Sequence, residues 1–274
     1  MLPAWYATHR DVLTVEGADA ATYLQGQLSQ DVAALAVGAT ALTLVLAPQG
    51  KVDGWGRVHR VGEERFEIDA DEGSGLAWSA RLNRFLMRTK ATIALAEGVP
   101  MIAVRGALVP GGLDAGWPGV EGSDLLGDQH APEGAVELDA AGYAALRIRA
   151  GVPAWGHEID ADTIPASLGA WVVEASASFT KGCYTGQELV ARMDSRGNNA
   201  PTRLAGVVLG APAGALPQPG AELTADGVPA GRITSVGVDA GGAVALAFVP
   251  RSIEVPSSVL VDGVAAELVP LPIA

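Results

Sequence analysis

Hydrophobic and polar positions alternate along short stretches in the first third of the chain. Residues 11–16 and 65–69 follow the two-residue period of a strand, whereas the run 41–47 is apolar without a break, as in a strand buried on both faces. A turn at 48–51 separates this run from a further strand at 55–60. Strands joined by such short turns pair in antiparallel fashion, so an antiparallel sheet is predicted here.

Two segments in the same region repeat apolar positions at the period of a helix. The first, over 20–35, has Asp19 as a candidate N-cap and contains Gly26, where glycine costs ~1 kcal/mol relative to alanine. The second is predicted over 73–86 and should pack on the sheet. The side chains expected to face the sheet are Leu76, Ala80 and Leu82. The cations near the end of this helix, which either favour its C-terminus or face an anionic ligand, are Arg84, Arg88 and Lys90.

The last third of the chain changes in character. Alternating segments, separated by turns rich in glycine and proline, occur there without a helix signal, which is typical of a small β-barrel. These segments are 203–209, 220–224, 230–238, 243–249 and 258–268. The pattern alone predicts the fold class α+β, with antiparallel sheets and helices, followed by a small C-terminal β-barrel.

Local composition divides the α+β body further. Short strands at 91–96 and 101–105 precede a stretch at 106–142 that is rich in glycine, proline and acidic residues, and the polar segment 194–199 is typical of a linker. The predicted domains are a main α+β lobe over 1–90 and 143–198, a smaller α+β lobe over 91–142, and a barrel over 203–274.

Charge and hydropathy narrow the classes of function. The net charge is −13, from 18 basic and 31 acidic residues, so no direct nucleic-acid partner is expected. The start of the chain lacks the basic and apolar segments of a secretory signal, and the longest apolar run, near 41–47, is too short to span a membrane. We therefore expect a soluble cytoplasmic protein without a membrane partner.

Cysteine and histidine are too sparse to suggest a metal site. A single cysteine excludes an internal disulfide, and it excludes a Cys-rich metal or iron–sulfur site held by this chain alone. The histidines are far apart and lack the spacing of a zinc motif, so no metal ligand is expected. They are His9, His59, His130 and His157.

The segment 181–188, KGCYTGQE, concentrates reactive side chains around the single cysteine, Cys183. Gly182 and Gly186 can adopt backbone angles that are closed to other residues, so the loop can bend sharply and its amides can approach a ligand. No other window of the chain holds so many chemically capable side chains.

A helix is predicted from Gln187, with Thr185 as a candidate N-cap and Glu188 at the spacing of a capping box. Cys183 would then lie just before a helix N-terminus and two residues from Lys181, and both positive charges favour a thiolate. The residues equally allow a second interpretation, in which Cys183 is a small buried hydrophobic side chain.

The motif at 181–188 resembles the signature of the YgfZ-type folate-binding proteins, which are relatives of the aminomethyltransferase (T-protein) of the glycine cleavage system. Three further segments are similar to elements of the same superfamily. Residues 23–32 resemble L-x-G-x-x-(S/T)-x-D-V, residues 147–153 resemble R-x-x-A-G-x-P, and residues 231–235 resemble G-x-(V/I)-T-S. The likeness covers nearly the whole chain and is weak over 106–142.

The resemblance implies a central cavity between the lobes and tetrahydrofolate as the ligand. It further implies support for the maintenance or repair of iron–sulfur enzymes, including those that modify tRNA, so iron–sulfur client proteins are expected partners. In such a protein Cys183 is the reactive thiolate, Lys181 lowers its pKa, and the amides near Gly186 contact the ligand or stabilise charge.

Two other functions are compatible with the residues. A folate-dependent aminomethyltransferase carries an acidic pair in the motif G-G-x-x-D-D, but Gly54 and Trp55 stand at those positions and Asp53 comes one residue early. A shift of one residue turns a strand side chain to the other face, unless a bulge corrects it. The third function is an assembly scaffold whose folate pocket is relict.

Candidate ligand contacts follow from the chemistry of a folate. A carboxylate can accept from the amide–guanidine edge of the pterin, and the glutamate tail favours basic side chains. Candidates for the edge are Glu174 and Glu188, and candidates for the tail are Arg88, Arg192 and Arg203. The other candidate contacts are Gln25, Gly182, Tyr184, Gly186 and Gln187.

Overall fold

The computed structural model of the chain describes residues 3–194, 197, 200–210 and 216–273. Within them the chain forms an α+β body and a closed six-stranded barrel, which confirms the predicted fold class. Most of the predicted linker at 194–199 lies outside the described residues.

The body is built on one mostly antiparallel sheet of eight strands within the described chain. The strands are β1 (Ala4–Glu16), β2 (Thr40–Leu46), β3 (Val52–Arg60), β4 (Arg65–Asp71), β5 (Thr92–Arg105), β6 (Leu113–Asp114), β7 (Gly122–Leu126) and β8 (Val136–Glu137). Their order is β2-β3-β4-β1-β5-β7-β6, and β8 runs parallel to β1 at its start. The strands predicted at 11–16, 41–47, 55–60 and 65–69 are all present.

Strand β5 is one continuous strand where the sequence pattern predicts two, at 91–96 and 101–105. Its pairing with β1 shifts register between Arg10 and Val12, and the carboxylate of Asp11 accepts a hydrogen bond from the Gly98 amide at 3.0 Å. This bulge absorbs the interruption at Gly98, so one long strand connects β1 to β7. Strands β5 and β7 thus belong to the same sheet as β1. The division of the body into a main lobe and a smaller lobe over 91–142 stays a prediction.

The described helices lie against this sheet and between it and the barrel. They are α1 (Ala20–Gln27), α2 (Gly75–Asn83), α3 (Ala140–Ala150), α4 (Ala170–Ser176) and α5 (Gln187–Asp194), with a 3-10 turn at Pro165–Leu168. None of the helices in the described part of the chain is long and apolar enough to cross a membrane.

Helix α1 is shorter than the predicted helix over 20–35. Leu28 leaves the helix in an extended conformation and forms a bridge with Val45, so the chain joins the sheet instead of continuing the helix. Asp19 is the N-cap residue as predicted, but its side chain makes no cap hydrogen bond, because Oδ2 accepts the backbone N–H of Lys90 at 2.7 Å.

Helix α2 turns a different face to the core than the sequence predicts. Leu82 is buried as expected, and it is joined in the core by the fully buried Trp78, one turn earlier. Leu76 is 65% exposed, and Ala80 is exposed as well. The large indole of Trp78 sets the phase of the helix, which leaves a partly apolar face outside.

The barrel contains six strands in the described part of the chain. They are β9 (Thr202–Leu209), β10 (Glu222–Ala225), β11 (Val228–Asp239), β12 (Gly242–Pro250), β13 (Ser257–Val261) and β14 (Val264–Val269), in the closed order β10-β11-β12-β9-β14-β13. The segment predicted at 258–268 is a hairpin of β13 and β14, which turns at Asp262 and Gly263 with positive φ at both residues.

Helix α3, which the sequence pattern does not predict, connects the body to the barrel. Asp139 caps it by accepting from the Gly142 amide at 2.8 Å, and Gly151 ends it in the left-handed conformation with φ 74°. A Cβ on Gly237 of β11 would lie 2.4 Å from the Ala145 nitrogen, so only glycine allows this close packing. The barrel is thereby held directly on the helix.

Candidate functional site

A central cavity of about 600 Å³ lies where the body meets the barrel. Strands β1, β3, β4, β5 and β7 of the sheet form one part of its lining. Helix α3, strand β11 and the segments 115–117, 152–157 and 216–219 also contribute to the lining. This volume is in the range of sites that enclose small organic ligands.

The sheet side of the cavity carries a lattice of buried ion pairs, which we call the ion lattice: Arg10, Asp69, Arg57, Asp124 and Arg105. Arg57 holds Asp69 through Nε and Nη2, at 2.9 and 3.1 Å, and reaches Asp124 at 3.0 Å. Arg105 pairs with Asp124 at 2.8 Å, and Arg10 pairs with Asp69 at 3.1 Å. The lattice therefore joins β1, β3, β4, β5 and β7.

The lattice favours the ionised form of Asp69 although this residue is buried. Burial by itself raises the pKa of Asp69, but the attraction of Arg57 and Arg10 outweighs it and holds that pKa below its usual range. Breaking one buried pair leaves an uncompensated charge, so each member depends on its neighbours. The charges of the cavity wall are thus paired with one another.

Aromatic rings line the cavity beside this lattice. Tyr6 and Tyr143 stack with ring centroids 4.6 Å apart, and Trp117 lies 5.6 Å from Tyr143. The guanidinium of Arg105 lies 4.0 Å from the ring centre of Trp117, and its Nε is buried without a hydrogen-bond partner among the described residues. Burial raises the pKa of Tyr143 to about 12, so its phenol stays neutral. These rings offer flat surfaces on which a planar ligand can stack.

The barrel side of the cavity is fixed by a buried glutamate. Glu158 pairs with Arg147 at 2.9 Å and accepts a hydrogen bond from Ser235. Arg147 also donates to Ser235 at 2.6 Å. The structure thereby brings together the sequence elements 147–153 and 231–235, which are far apart in the chain.

The cysteine loop, residues 181–186, lies on a different part of the molecule. Lys181 Nζ donates to the carbonyl oxygens of Leu28 and Gln30, at 2.8 and 2.6 Å, just beyond the end of α1. The loop is therefore seated on the element 23–32. The sequence elements 181–188 and 23–32, which are far apart in the chain, are therefore in contact in the structure.

One of the two glycines in the loop is needed for this seat. Gly186 has φ 81°, and a Cβ there would lie 2.6 Å from the carbonyl oxygen of Ala47. The amide of Thr185 donates to the Gly26 carbonyl at 3.1 Å, which fixes the loop from the other side. Gly182 has open space around it and does not need to be glycine on these grounds.

Cys183 is exposed, which contradicts the interpretation of a buried hydrophobic side chain. Its sulfur makes no hydrogen bond within the described residues. Burial lowers the pKa of Lys181 to about 8, against the opposing attraction of Asp31, and its ammonium faces carbonyl oxygens. The structure gives the lysine a role in seating the loop.

Helix α5 begins at Gln187 as predicted, but its cap differs. The side chain of Gln187 accepts a hydrogen bond from the Tyr184 amide at 3.1 Å. Glu188 pairs with Arg192 one turn later instead of reaching back to the N-terminus. The predicted capping box of Thr185 and Glu188 is therefore wrong. The side-chain oxygen of Gln187 accepts a loop amide, and the carboxylate of Glu188 pairs with Arg192.

Comparisons with known proteins agree with this architecture, although no family model matches the chain. A protein of Haemophilus influenzae described only as uncharacterized is 33% identical over 196 residues, 70% of this chain and 69% of that protein. The tRNA-modifying protein YgfZ of Pectobacterium carotovorum is 31% identical over 216 residues, 68% of this chain and 64% of that protein. The chain is a YgfZ-type relative of the aminomethyltransferase superfamily.

The superfamily relationship extends over the full length of this YgfZ-type chain. The aminomethyltransferase of Thermus thermophilus is 28% identical over an alignment of 312 residues, 97% of this chain and 85% of that enzyme. The crystal structure of aminomethyltransferase T from Bartonella henselae has a TM-score of 0.76 with 20% identity, and it covers 99% of this chain and 86% of that one. By contrast, the match to YgfZ of Pectobacterium carotovorum spans just under two thirds of that relative, 64%.

None of the sequence-predicted site residues, all of which belong to the described part of the chain, lines the central cavity of this YgfZ-type protein. Gln25 is hydrogen-bonded to Asp31, and Arg203 donates to the Ile253 carbonyl. The remaining ones are Arg88, Glu174, Lys181, Gly182, Cys183, Tyr184, Gly186, Gln187, Glu188 and Arg192. Their roles as ligand contacts stay predictions.

Asp53 does lie at a bulge, the condition under which the sequence allows it to face the cavity. Val45 pairs with Gly54 and Leu46 with Val52, so Asp53 is the extra residue of β3. Even so, it pairs with Arg81 at 3.3 Å and lines a second concavity instead of the central one. Burial raises the pKa of Asp53, and Arg81 opposes this shift.

Neither of the two positions that hold acids in the transferase motif carries one in this YgfZ-type chain, and only the first is closed to a side chain. A Cβ on Gly54 would lie 2.2 Å from Nε1 of the buried Trp78. Trp55 lines the central cavity, and its Nε1 donates to Ser176 at 2.9 Å. An indole thus occupies the wall where the transferase motif would place a carboxylate.

Proposed function

We propose that the central cavity binds tetrahydrofolate. The observation that carries this proposal is a cavity of about 600 Å³ whose wall combines stacked aromatic rings with buried arginines, in a chain related to aminomethyltransferases. The charged wall forms without a ligand, because the residues of the ion lattice pair their charges with one another. A preformed site of this kind spends little binding energy on reorganisation.

The residues present fit the chemistry of a reduced folate. Tyr6, Tyr143 and Trp117 offer ring faces to its planar parts. Asp71 accepts from the Trp155 amide and from Arg10 and, as a carboxylate, keeps acceptor capacity for a donor edge. The orphaned Nε of Arg105 is a donor that a ligand oxygen could satisfy.

We further propose that the protein supports iron–sulfur enzymes, among them enzymes that modify tRNA. The support for this is the resemblance of 181–188 to the YgfZ signature and the similarity to relatives named tRNA-modifying protein YgfZ. Bound folate would supply a carrier for one-carbon units. Cys183 would be the reactive thiol, and its exposure makes it accessible to a client protein.

The test is an anaerobic calorimetric titration of the protein with tetrahydrofolate. We expect saturable binding at micromolar concentrations. Trp117→Leu should weaken it roughly tenfold through the loss of a stacking surface. Trp5→Leu is the matched control, since Trp5 is a half-buried tryptophan of β1 that does not belong to the cavity lining.

Two outcomes would contradict the proposal. Failure of the wild-type protein to bind any reduced folate would leave a scaffold function, which co-purification with iron–sulfur proteins would support. Equal weakening by Trp117→Leu and Trp5→Leu would place the site elsewhere. Transfer from an aminomethyl donor that Asp53→Ala abolishes would instead favour the transferase.

A further inference from the structure

Most arginines and lysines of this acidic chain pair with carboxylates, but three exposed cations near the end of α2 do not. Arg84, Arg88 and Lys90 form no ion pair within the described residues, although acidic residues outnumber basic ones by 31 to 18. No acidic residue occurs between Glu72 and Glu97. This segment therefore presents a local positive charge on a negative molecule.

One of these cations, Arg84, lines the second concavity, which we call the α2 groove, and Arg88 and Lys90 follow it in the chain. The groove encloses about 580 Å³ between α2 and the segment 155–161. The lining residues that matter are Asp53, Ala77, Ala80, Arg81, Arg84, Trp155 and Asp160, of which Asp160 accepts hydrogen bonds from the Thr163 hydroxyl and the Asp162 amide. Arg81 is occupied by Asp53 and by the Leu46 carbonyl, so Arg84 is the cation of the groove that is available to a ligand.

Exposed apolar side chains occur along α2 and the segment that carries these cations. Leu76 is 65% exposed and Met87 82%. The ring of Phe85, 39% exposed, lies 4.5 Å from the guanidinium carbon of Arg81, which places it next to the groove. Arginine, methionine and aromatic residues are enriched in protein–protein interfaces. The mixture of apolar and cationic side chains is suited to a protein partner.

We propose that the α2 groove, together with the segment 84–90, binds an acidic segment of a partner protein. Carboxylates of the partner would face Arg84, Arg88 and Lys90, and an apolar side chain would lie against Ala77 and Ala80. The net charge of −13 repels any polyanion over the rest of the surface, which disfavours an extended nucleic-acid backbone more than a short acidic segment confined to these cations. Binding here does not depend on folate, because the α2 groove and the central cavity share only Trp155 among their described linings.

The test uses the full chain and an immobilised synthetic peptide of alternating glutamate and leucine, with binding followed by surface plasmon resonance. We expect saturable binding that weakens as salt is added. The combined variant Arg84→Glu, Arg88→Glu, Lys90→Glu should weaken binding at least roughly tenfold. Met87→Ser should weaken it by a smaller factor that does not depend on salt.

The matched control reverses charge elsewhere on the surface. Arg65→Glu with Arg232→Glu changes two exposed arginines, one in β4 and one in the barrel, and should leave the affinity within roughly twofold. Equal loss in the control and in the triple variant overturns the proposal, as does absence of peptide binding. Tighter binding of an RNA oligonucleotide, lost in the triple variant, overturns the partner class. Thermal melts of all variants should coincide with wild type, because the changed side chains are exposed.

Discussion

The central cavity and the cysteine loop are held in place by different physics. The cavity wall is fixed by side-chain charges that cross from strand to strand, whereas the loop is fixed by backbone contacts at Gly186 and by the carbonyl bonds of Lys181. The charged groups of the cavity wall are buried and paired with one another, whereas the loop exposes its thiol. The comparison indicates that ligand binding and thiol chemistry can be separated by mutation.

The largest effect should come from removing the centre of the ion lattice. Arg57→Met leaves Asp69 and Asp124 without their shared partner in a buried site, which should lower the free energy of unfolding by ~3–5 kcal/mol. Urea unfolding measures this. The control is Arg65→Met, whose half-exposed pair with Glu67 should be worth no more than ~1 kcal/mol. Similar losses in both variants would mean that the lattice does not hold the cavity.

A smaller loss of stability is expected when one of the two glycines of the cysteine loop is replaced by alanine, and almost none when the other is. Gly186→Ala introduces a Cβ against the Ala47 carbonyl at a positive φ, and we expect a loss of ~1–3 kcal/mol in unfolding free energy. Gly182→Ala meets open space and should change stability by less than ~0.5 kcal/mol. Equal unfolding free energies of the two variants would contradict the close contact between Gly186 and the Ala47 carbonyl.

The pH dependence of Lys181 sharpens the comparison from the loop side. Its pKa in the fold is about 8, below the value of ~10.4 in an unfolded chain, so folding releases a proton between these pH values. The unfolded state then binds more protons, and the contribution of this lysine to stability rises as pH increases through that window. The unfolding free energy of wild type minus that of Lys181→Met should therefore increase from pH 8 to pH 10. A constant difference would contradict the lowered pKa.

The smallest effect is expected at the thiol itself. Cys183→Ser changes an exposed side chain without a hydrogen-bond partner among the described residues, so stability should stay within ~0.5 kcal/mol of wild type. Calorimetry should find the same affinity for tetrahydrofolate, while complementation of iron–sulfur enzyme activity in cells is lost. A drop in the affinity for tetrahydrofolate would mean that the cysteine loop takes part in ligand binding at the central cavity, which would contradict their separation in the structure.

Local patterns predicted the strands and the barrel because each depends on neighbouring residues. Strand β4 alternates plainly, and the barrel segments are divided by glycine and proline. The end of α1 depends on the bridge between Leu28 and Val45, and the phase of α2 depends on where Trp78 finds room. Such tertiary contacts override the helical period, so the pattern extended one helix and misplaced the face of another.

The cavity residues were missed for a related reason. Arg57 and Asp69 stand inside strands that alternate well, and an isolated charge in a strand is ordinarily solvated. The signal that could have found them is that each is surrounded by residues of a buried strand and therefore requires a partner of opposite charge. The cysteine motif attracted attention because its residues are contiguous, whereas the ion lattice is assembled from five separate strands.

The short helix α1 has a practical consequence. Gln27 accepts from Arg81 of the α2 groove at 3.0 Å, and the neighbouring Gly26 carbonyl accepts from the cysteine loop. The exposed thiol and the groove therefore flank the same end of one helix. Because Cys183 is the only cysteine in the chain, a single maleimide dye attaches at one defined position without any engineering. The emission of that dye can report when another molecule arrives beside it.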